Sequence, residues 1–287
     1  MKKIEGLADT LAAALIMVYS QGKMGKTSLM LAMPPEMRPC AFLDTDLGAQ
    51  IRLKILGMTG PEREAAGVTE NISPYYGPWI KEGIDFYYPS ADNYYGDLWE
   101  FATKIAPKYK STVTDAVSRM SRSILDEVKS TKYGGAKRLH IDRGGGTVSV
   151  QPNQGDYGLA QSRVLEYIEA LNQSGAHNFL VSHERTAEIK DTDNVKRILG
   201  GPSSIGSALL EILPAIMDII IRLEVKSVKI KKGDKYVTGN RVVMRTANHN
   251  VFQAGDRSGM FEDGDVMDPE IFWKRITTMI AGAKASA

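Results

Sequence analysis

Ala12 to Tyr19 reads Ala-Ala-Ala-Leu-Ile-Met-Val-Tyr, an apolar run that no polar position interrupts. It predicts a short strand buried on both faces. Ser28-Leu29-Met30-Leu31-Ala32-Met33 has the composition of a buried helix and starts after only eight intervening residues. Pro39-Cys40-Ala41-Phe42-Leu43-Asp44-Thr45-Asp46 predicts a second apolar strand, which ends in two carboxylates. Further along, Ile84–Tyr88 predicts a strand and Leu98–Ile105 a helix. Tyr109–Asp115 is a β-rich run diluted by Ser111, Thr112 and Thr114, and a helix over 116–128 comes after it. A helix over 159–173 leads into Asn178-Phe179-Leu180-Val181-Ser182-His183, a strand with a polar tip. Strands alternating with helices point to an α/β fold with a mostly parallel central sheet flanked by helices.

The last third changes character. Ile219–Ile230 and Arg241–Thr246 alternate like the two arms of a C-terminal β-hairpin around Lys231-Lys232-Gly233-Asp234. Asp268-Pro269 opens a terminal helix with Phe272, Ile276, Met279 and Ile280 on one face, placed to dock on the core or on a neighbour. The expected division is a core over 1–262 and a helical tail over 263–287. Gly57–Tyr95 is rich in Gly, Pro and Tyr, and its tyrosine pairs suit core packing better than base stacking. Two polar, basic loops stand out. The first, over 129–157, holds Lys129, Lys132, Lys137, Arg138 and Arg143 among glycines. The second holds Arg185, Lys190, Lys196 and Arg197 before Gly200-Gly201-Pro202. Two such loops on one edge form a candidate DNA surface.

With 287 residues and 43% of them hydrophobic, the chain can bury a large core. A formal charge of +2 announces no polyanionic partner, so any nucleic-acid surface must come from local clustering. Cys40 is the single cysteine, which excludes an internal disulfide, and no Cys/His group has zinc spacing. Met1-Lys2-Lys3 imitates the start of a signal peptide, but Glu5 and Asp9 interrupt it. The apolar run from Leu11 also continues directly into the glycine-bearing segment that begins at Ser20. Pro214, Asp218 and Arg222 break the other apolar candidate, 212–223. The expectation is a cytoplasmic protein without a membrane segment.

The chemistry concentrates after the first strand. Ser20-Gln21-Gly22-Lys23-Met24-Gly25-Lys26-Thr27, followed by Ser28, gives strand, glycine-bearing loop and helix start in the order a phosphate-binding P-loop needs. Backbone N–H groups at a helix N-terminus face phosphate oxygens, Lys26 adds a point charge near the β- and γ-phosphates, and the Thr27 hydroxyl is a Mg²⁺ ligand. The pattern G-x-x-x-x-G-K-[ST] has Ser20 in place of its first glycine. An ordinary helix N-cap is the simpler alternative. In open α/β sheets ligands gather at the carboxyl ends of strands, so Asp44, Asp46 and Asp115 converge on this loop, unless they merely cap the helices after them. The expected ligands are a nucleoside triphosphate and Mg²⁺.

In this order, over residues 12 to 260, the motifs resemble the RecA-like ATPase core. More narrowly, they resemble the phage-encoded RecA-like nucleotide-binding proteins that include single-strand annealing proteins, which implies ATP as the nucleotide. The resemblance implies a RecA-like P-loop NTPase fold. Asp44-Thr45-Asp46 matches the family's D-x-[ED], which makes Asp46 the water-polarising base with a shorter arm than the usual glutamate. Asp115 matches the Walker B aspartate that serves the metal with Thr27, and His183 matches the polar strand tip that senses the γ-phosphate. The two basic loops fall where relatives carry DNA-binding loops. Ala254-Gly255-Asp256-Arg257 resembles A-K-D-R, from which a neighbouring subunit receives positive charge. Gly255 replaces that lysine, leaving Arg257 for the role, with Arg222 or Arg245 as substitutes. The function implied by the resemblance is that of an ATPase that binds single-stranded DNA as a homo-oligomer and assists phage recombination or annealing, beside a single-strand binding protein or annealase. A nucleotide-gated assembly protein with little hydrolysis is the alternative, and a small-molecule kinase is disfavoured because no arginine-rich lid appears.

Overall fold

A computed structural model describes residues 13–49, 52, 58, 60–65, 82–133, 140–141, 149–150, 152–190, 196–205, 208–232, 235–249 and 251–285. Its ten-stranded sheet grows around the first apolar run. β1 (Leu15–Ser20) is buried throughout and lies parallel to β5 (His177–Lys190) on one side and β7 (Ile219–Lys232) on the other. With β2 (Cys40–Asp44), β3 (Ile84–Tyr87) and β4 (Ser111–Asp115), the parallel part runs β3-β2-β4-β5-β1-β7. Beyond β7 the sheet turns antiparallel through β8 (Lys235–Arg245) and β10 (Asp265–Val266). The α/β fold with a mostly parallel sheet is as expected from the sequence, and so is the β7–β8 hairpin, whose arms are in register from Arg222↔Arg245 to Lys232↔Lys235.

Alternation in β1 assigns its side chains to two cores. Ile16 and Val18 join Leu29 and Met30 of α1 (Lys26–Leu31) and Phe272, Trp273 and Ile276 of α6 (Pro269–Ala285). Leu15, Met17 and Tyr19 face the other layer, which is built from α2 (Tyr94–Glu100), α3 (Val117–Tyr133), α4 (Gln154–Gln173) and α5 (Ala208–Ile216). The period of two along a strand produces this split. The polar composition of β4 is reconciled with complete burial because each hydroxyl finds a partner. Ser111 Oγ donates to the Met37 carbonyl at 2.6 Å, Thr112 Oγ1 donates to Asn178 Oδ1 at 2.7 Å, and Thr114 Oγ1 meets the Tyr167 hydroxyl at 2.8 Å.

Several boundaries differ from the sequence reading. The largest correction concerns the second basic segment, which is a β-hairpin. β5 continues past His183 to Lys190 and pairs antiparallel with β6 (Lys196–Pro202), from Glu184↔Pro202 to Lys190↔Lys196. Paired backbone groups outweigh the polar composition that suggested a loop. α3 runs on to Tyr133, so Lys129 and Lys132 are helical. α4 begins at Gln154, where Asn153 and Asp156 form a reciprocal capping box that supplies the orphan N–H groups of the first turn. α2 starts at Tyr94 and passes into a π-helical turn, Phe101–Ile105. The terminal helix docks as expected. Asp268 Oδ1 accepts from the Glu270 N–H at 2.8 Å, and Phe272, Trp273, Ile276 and Ile280 are buried.

Candidate nucleotide site

Because the central strands are parallel, their carboxyl ends share one edge. The register sets Ser20 beside His183 and Asp44 beside Asp115. The loop after β1 turns into α1 at Gly25, whose φ of +83° is strained for any residue with a Cβ. Ser20, standing where the motif has its first glycine, is fully buried and has a definite task. Its Oγ accepts from Lys26 Nζ at 2.8 Å and donates to the Gln21 carbonyl at 2.7 Å. Lys26 Nζ also donates to the Gln21 carbonyl at 2.9 Å and the Ser20 carbonyl at 3.3 Å. Burial pulls the Lys26 pKa down to about 8 against the opposing charges of Asp115 and Glu184. The ammonium is thus held by neutral oxygens, ready to exchange them for phosphate.

Asp115 closes the site from the next strand but one. Its Oδ2 accepts from Thr27 Oγ1 at 2.6 Å, and burial, with Asp46 and Asp44 nearby, pushes its carboxyl up to about 7. A hydroxyl and a dry carboxylate in contact are hard-oxygen donors suited to a Mg²⁺ that takes its remaining ligands from phosphate and water. Such a site needs no protein cage, and among the described residues no group of three His, Cys, Asp or Glu forms one. Thr45 ties the β2 tip to β4. Its N–H donates to the Asp115 carbonyl at 2.7 Å and its Oγ1 accepts from the Ala116 N–H at 2.8 Å.

The two acids of β2 divide their work. Asp44 is buried, its Oδ2 accepts from the Ala49 N–H at 2.9 Å, and burial raises its carboxyl to about 6. Asp46 is exposed and faces the loop, with Oδ1 accepting from the Gly48 N–H at 3.0 Å. His183 sits on the same edge, where partial burial and the Lys26 charge lower its pKa and favour the neutral imidazole. Lys23, Met24, Gly25, Lys26, Thr27, Ser28, Asp46, Gly48, Arg52, Asp115 and His183 line one cavity of about 620 Å³. Gln21 and Gly22 are exposed on the loop beside it. Arg52 was missed by sequence reasoning. Its Nε donates to Ser28 Oγ at 2.6 Å, and no motif marks it.

The remaining candidates are spread more widely. Arg257 lies after β9 (Gly255–Asp256), which pairs with the first residues of β7, so it occupies the sheet edge opposite the P-loop of its own chain. Its Nη2 donates to the Ala215 carbonyl at 2.8 Å. Arg222 is near the site but bound in a buried pair, with Nε donating to Glu184 Oε2 at 2.7 Å and the guanidinium 3.7 Å from the centre of the Phe252 ring. Arg245 is engaged by Glu224 and Asp263 at 2.7 and 2.9 Å.

Among the DNA candidates, Lys129 pairs with Asp126 at 2.6 Å. Lys132 falls in the last turn of α3, and Lys137, Arg138 and Arg143 lie outside the described residues. Arg185 is exposed and its Nη1 donates to the Ser204 carbonyl at 2.9 Å, while Lys190, Lys196 and Arg197 stand at the far end of the hairpin. A second cavity of about 530 Å³ joins Ser118, Ser121, Arg122, Tyr157, Arg185, Ser203 and Ser204. It adjoins the nucleotide site, since the His183 N–H donates to Ser118 Oγ at 3.4 Å. Of the tyrosine pairs, Tyr87 packs edge-on to Phe101 and Tyr109 and Tyr94 is buried, whereas Tyr88 is exposed. Tyr75 and Tyr76 lie outside the described residues.

Among the described residues no helix is long and apolar enough to cross a membrane. Comparison with curated proteins returned no match. A family model described as an AAA domain matches residues 12–258, from just before β1 to just past β9. A match of that extent, over a sheet edge where Lys26, Thr27 and Asp115 already meet, assigns the chain to the AAA-domain family of P-loop ATPases.

Proposed function

We propose that the protein is a Mg²⁺-dependent RecA-like ATPase of the cytoplasm that binds single-stranded DNA as a homo-oligomer and assists phage recombination or strand annealing. The observation that carries the ATPase part is the contact of Thr27 with Asp115, at 2.6 Å, beside Lys26. Lys26 exchanges its carbonyl partners for β- and γ-phosphate oxygens. Thr27 and Asp115 would hold the Mg²⁺ that accompanies a nucleotide, and the ion would supply charge neutralisation at its phosphates. Asp46, exposed toward the cavity, orients a water for in-line attack and takes its proton. His183, neutral in the middle of β5, reports the γ-phosphate along that strand into the basic hairpin.

The DNA part is supported by the second cavity. Arg122 and Arg185 with Ser118, Ser121, Ser203 and Ser204 offer charged and hydroxyl donors to a phosphate chain, and Tyr157 offers a ring to a base. ATPase measured with and without single-stranded DNA tests both parts. Turnover should rise with DNA, and Arg122→Ala with Arg185→Ala should remove the rise while leaving ATP affinity unchanged. Absence of turnover in the presence of tight ATP binding favours the second reading, a nucleotide-gated assembly protein. The engagement of Asp46 by the Gly48 N–H and the loss of a lysine at Gly255 support that reading.

A further inference from the structure

Ser20 stands where the phosphate-loop motif has its first glycine, and the difference adds a side-chain oxygen at the point where Lys26 is held. An ammonium has three donors and no acceptor. All three are engaged, by Ser20 Oγ at 2.8 Å, the Gln21 carbonyl at 2.9 Å and the Ser20 carbonyl at 3.3 Å. Ser20 Oγ in turn donates to the Gln21 carbonyl at 2.7 Å, so hydroxyl, carbonyl and ammonium close a ring of hydrogen bonds. Ser20 is fully buried at the end of β1 and does not line the nucleotide cavity, whereas Lys26 does. The hydroxyl therefore acts on the lysine rather than on phosphate. A nucleotide that takes one donor for its β-phosphate and one for its γ-phosphate leaves a single donor for the protein, and the ring decides which contact stays. When Lys26 releases both carbonyls, the Gln21 carbonyl keeps the Ser20 hydroxyl as its donor and the ammonium keeps its shortest contact. Releasing Ser20 Oγ instead would take a charged partner from an oxygen that water does not reach, which is the larger loss.

We infer that Ser20 is a positioning residue for Lys26: its hydroxyl keeps hold of the ammonium while the two carbonyls are exchanged for phosphate oxygens, and it thereby aims the other two donors at the β- and γ-phosphates. The inference rests on the nucleotide site proposed above. It gives the departure from the motif a function of its own, so restoring glycine at this position weakens the site.

The test uses two ligands, ATP and ADP, with affinities measured by competition against a fluorescent nucleotide for the wild type, Ser20→Gly, Ser20→Ala and Lys26→Ala. Ser20→Gly and Ser20→Ala should each weaken ATP about tenfold, the scale of one hydrogen bond to a charged group. ADP should lose no more than about threefold, because without a γ-phosphate the lysine can return one donor to a carbonyl. ATP affinity that is unchanged or tighter in these two variants overturns the inference, since the hydroxyl would then be idle or would compete with phosphate for Lys26. Equal losses for ATP and ADP, with or without a fall in melting temperature, mark a general disturbance of the loop and equally overturn it. Failure of the wild type to bind either nucleotide, with Lys26→Ala no different, removes the nucleotide site itself. Binding that is abolished by Lys26→Ala and untouched by Ser20→Gly and Ser20→Ala removes only the role of Ser20.

Discussion

Trp273 reaches from the terminal helix to the far end of the P-loop helix, and its removal should loosen the phosphate site from behind. α1 spans only Lys26–Leu31, so its last carbonyls need partners from outside. The Met33 N–H closes on the Met30 carbonyl at 3.2 Å, and the Leu29 carbonyl instead accepts from Trp273 Nε1 at 2.9 Å. The indole is 1% exposed and packs edge-on against Phe179 and Phe272, with ring centres 5.0 Å apart in both cases. Trp273→Ala therefore costs about 3–5 kcal/mol from the lost packing and the cavity. Trp273→Phe keeps most of the ring but leaves the Leu29 carbonyl buried without its donor, at about 1–3 kcal/mol. At roughly 2–4 °C per kcal/mol for a chain of this class, the alanine variant should melt on the order of 10 °C lower and the phenylalanine variant part of the way. Urea denaturation gives the free energies, and fluorescent-nucleotide binding gives the functional consequence. ATP affinity should fall several-fold in the alanine variant, because α1 carries Lys26 and Thr27 at its other end. A phenylalanine variant within about 0.5 kcal/mol of wild type, together with unaltered ATP affinity in the alanine variant, would refute this coupling.

Lys26→Ala should abolish ATP binding while the protein stays folded, since it removes a partly desolvated cation; wild-type affinity in that variant would remove the P-loop assignment. Asp46→Asn should keep ATP binding and lose turnover in a steady-state assay, because the amide retains the shape and the Gly48 contact but takes no proton; normal turnover would move the base to another acid. Asp44→Asn should stabilise the nucleotide-free chain at pH 8. The folded-state pKa of Asp44 is raised from 3.8 to about 6, so its ionisation costs stability progressively as pH rises through that window, reaching at most about 3 kcal/mol above it and vanishing near pH 3. Denaturation curves of both proteins at pH 3.5 and pH 8 check this, and a difference independent of pH contradicts it. Arg257→Ala should bind ATP yet lose turnover, and mixing it with Lys26→Ala should restore some activity at mixed interfaces. Full activity of Arg257→Ala alone, with no gain on mixing, leaves Arg257 without a catalytic role.

The local parts of this protein were determined by sequence alone. An unbroken apolar run can be satisfied only between two covered faces, and a glycine at position 25 followed by Lys26 and Thr27 starts a helix with its N–H groups open to phosphate. Acids at the ends of β2 and β4 were placed at one edge by the same logic, because parallel strands align their carboxyl ends. Choices between chemically similar neighbours needed the tertiary structure. Asp44 and Asp46 are two residues apart, yet one is buried under the Ala49 N–H and the other faces the cavity. The hydroxyls of β4 read as a weakened strand until Met37, Asn178 and Tyr167 arrive from distant positions to satisfy them. Composition made residues 185–197 a loop, whereas pairing across the hairpin made them strands, since a ladder depends on what lies opposite. Arg52 and Trp273 carried no signal at all. Each acts on the P-loop helix from another element, and a contact between residues 24 or 244 positions apart exists only once the chain has folded.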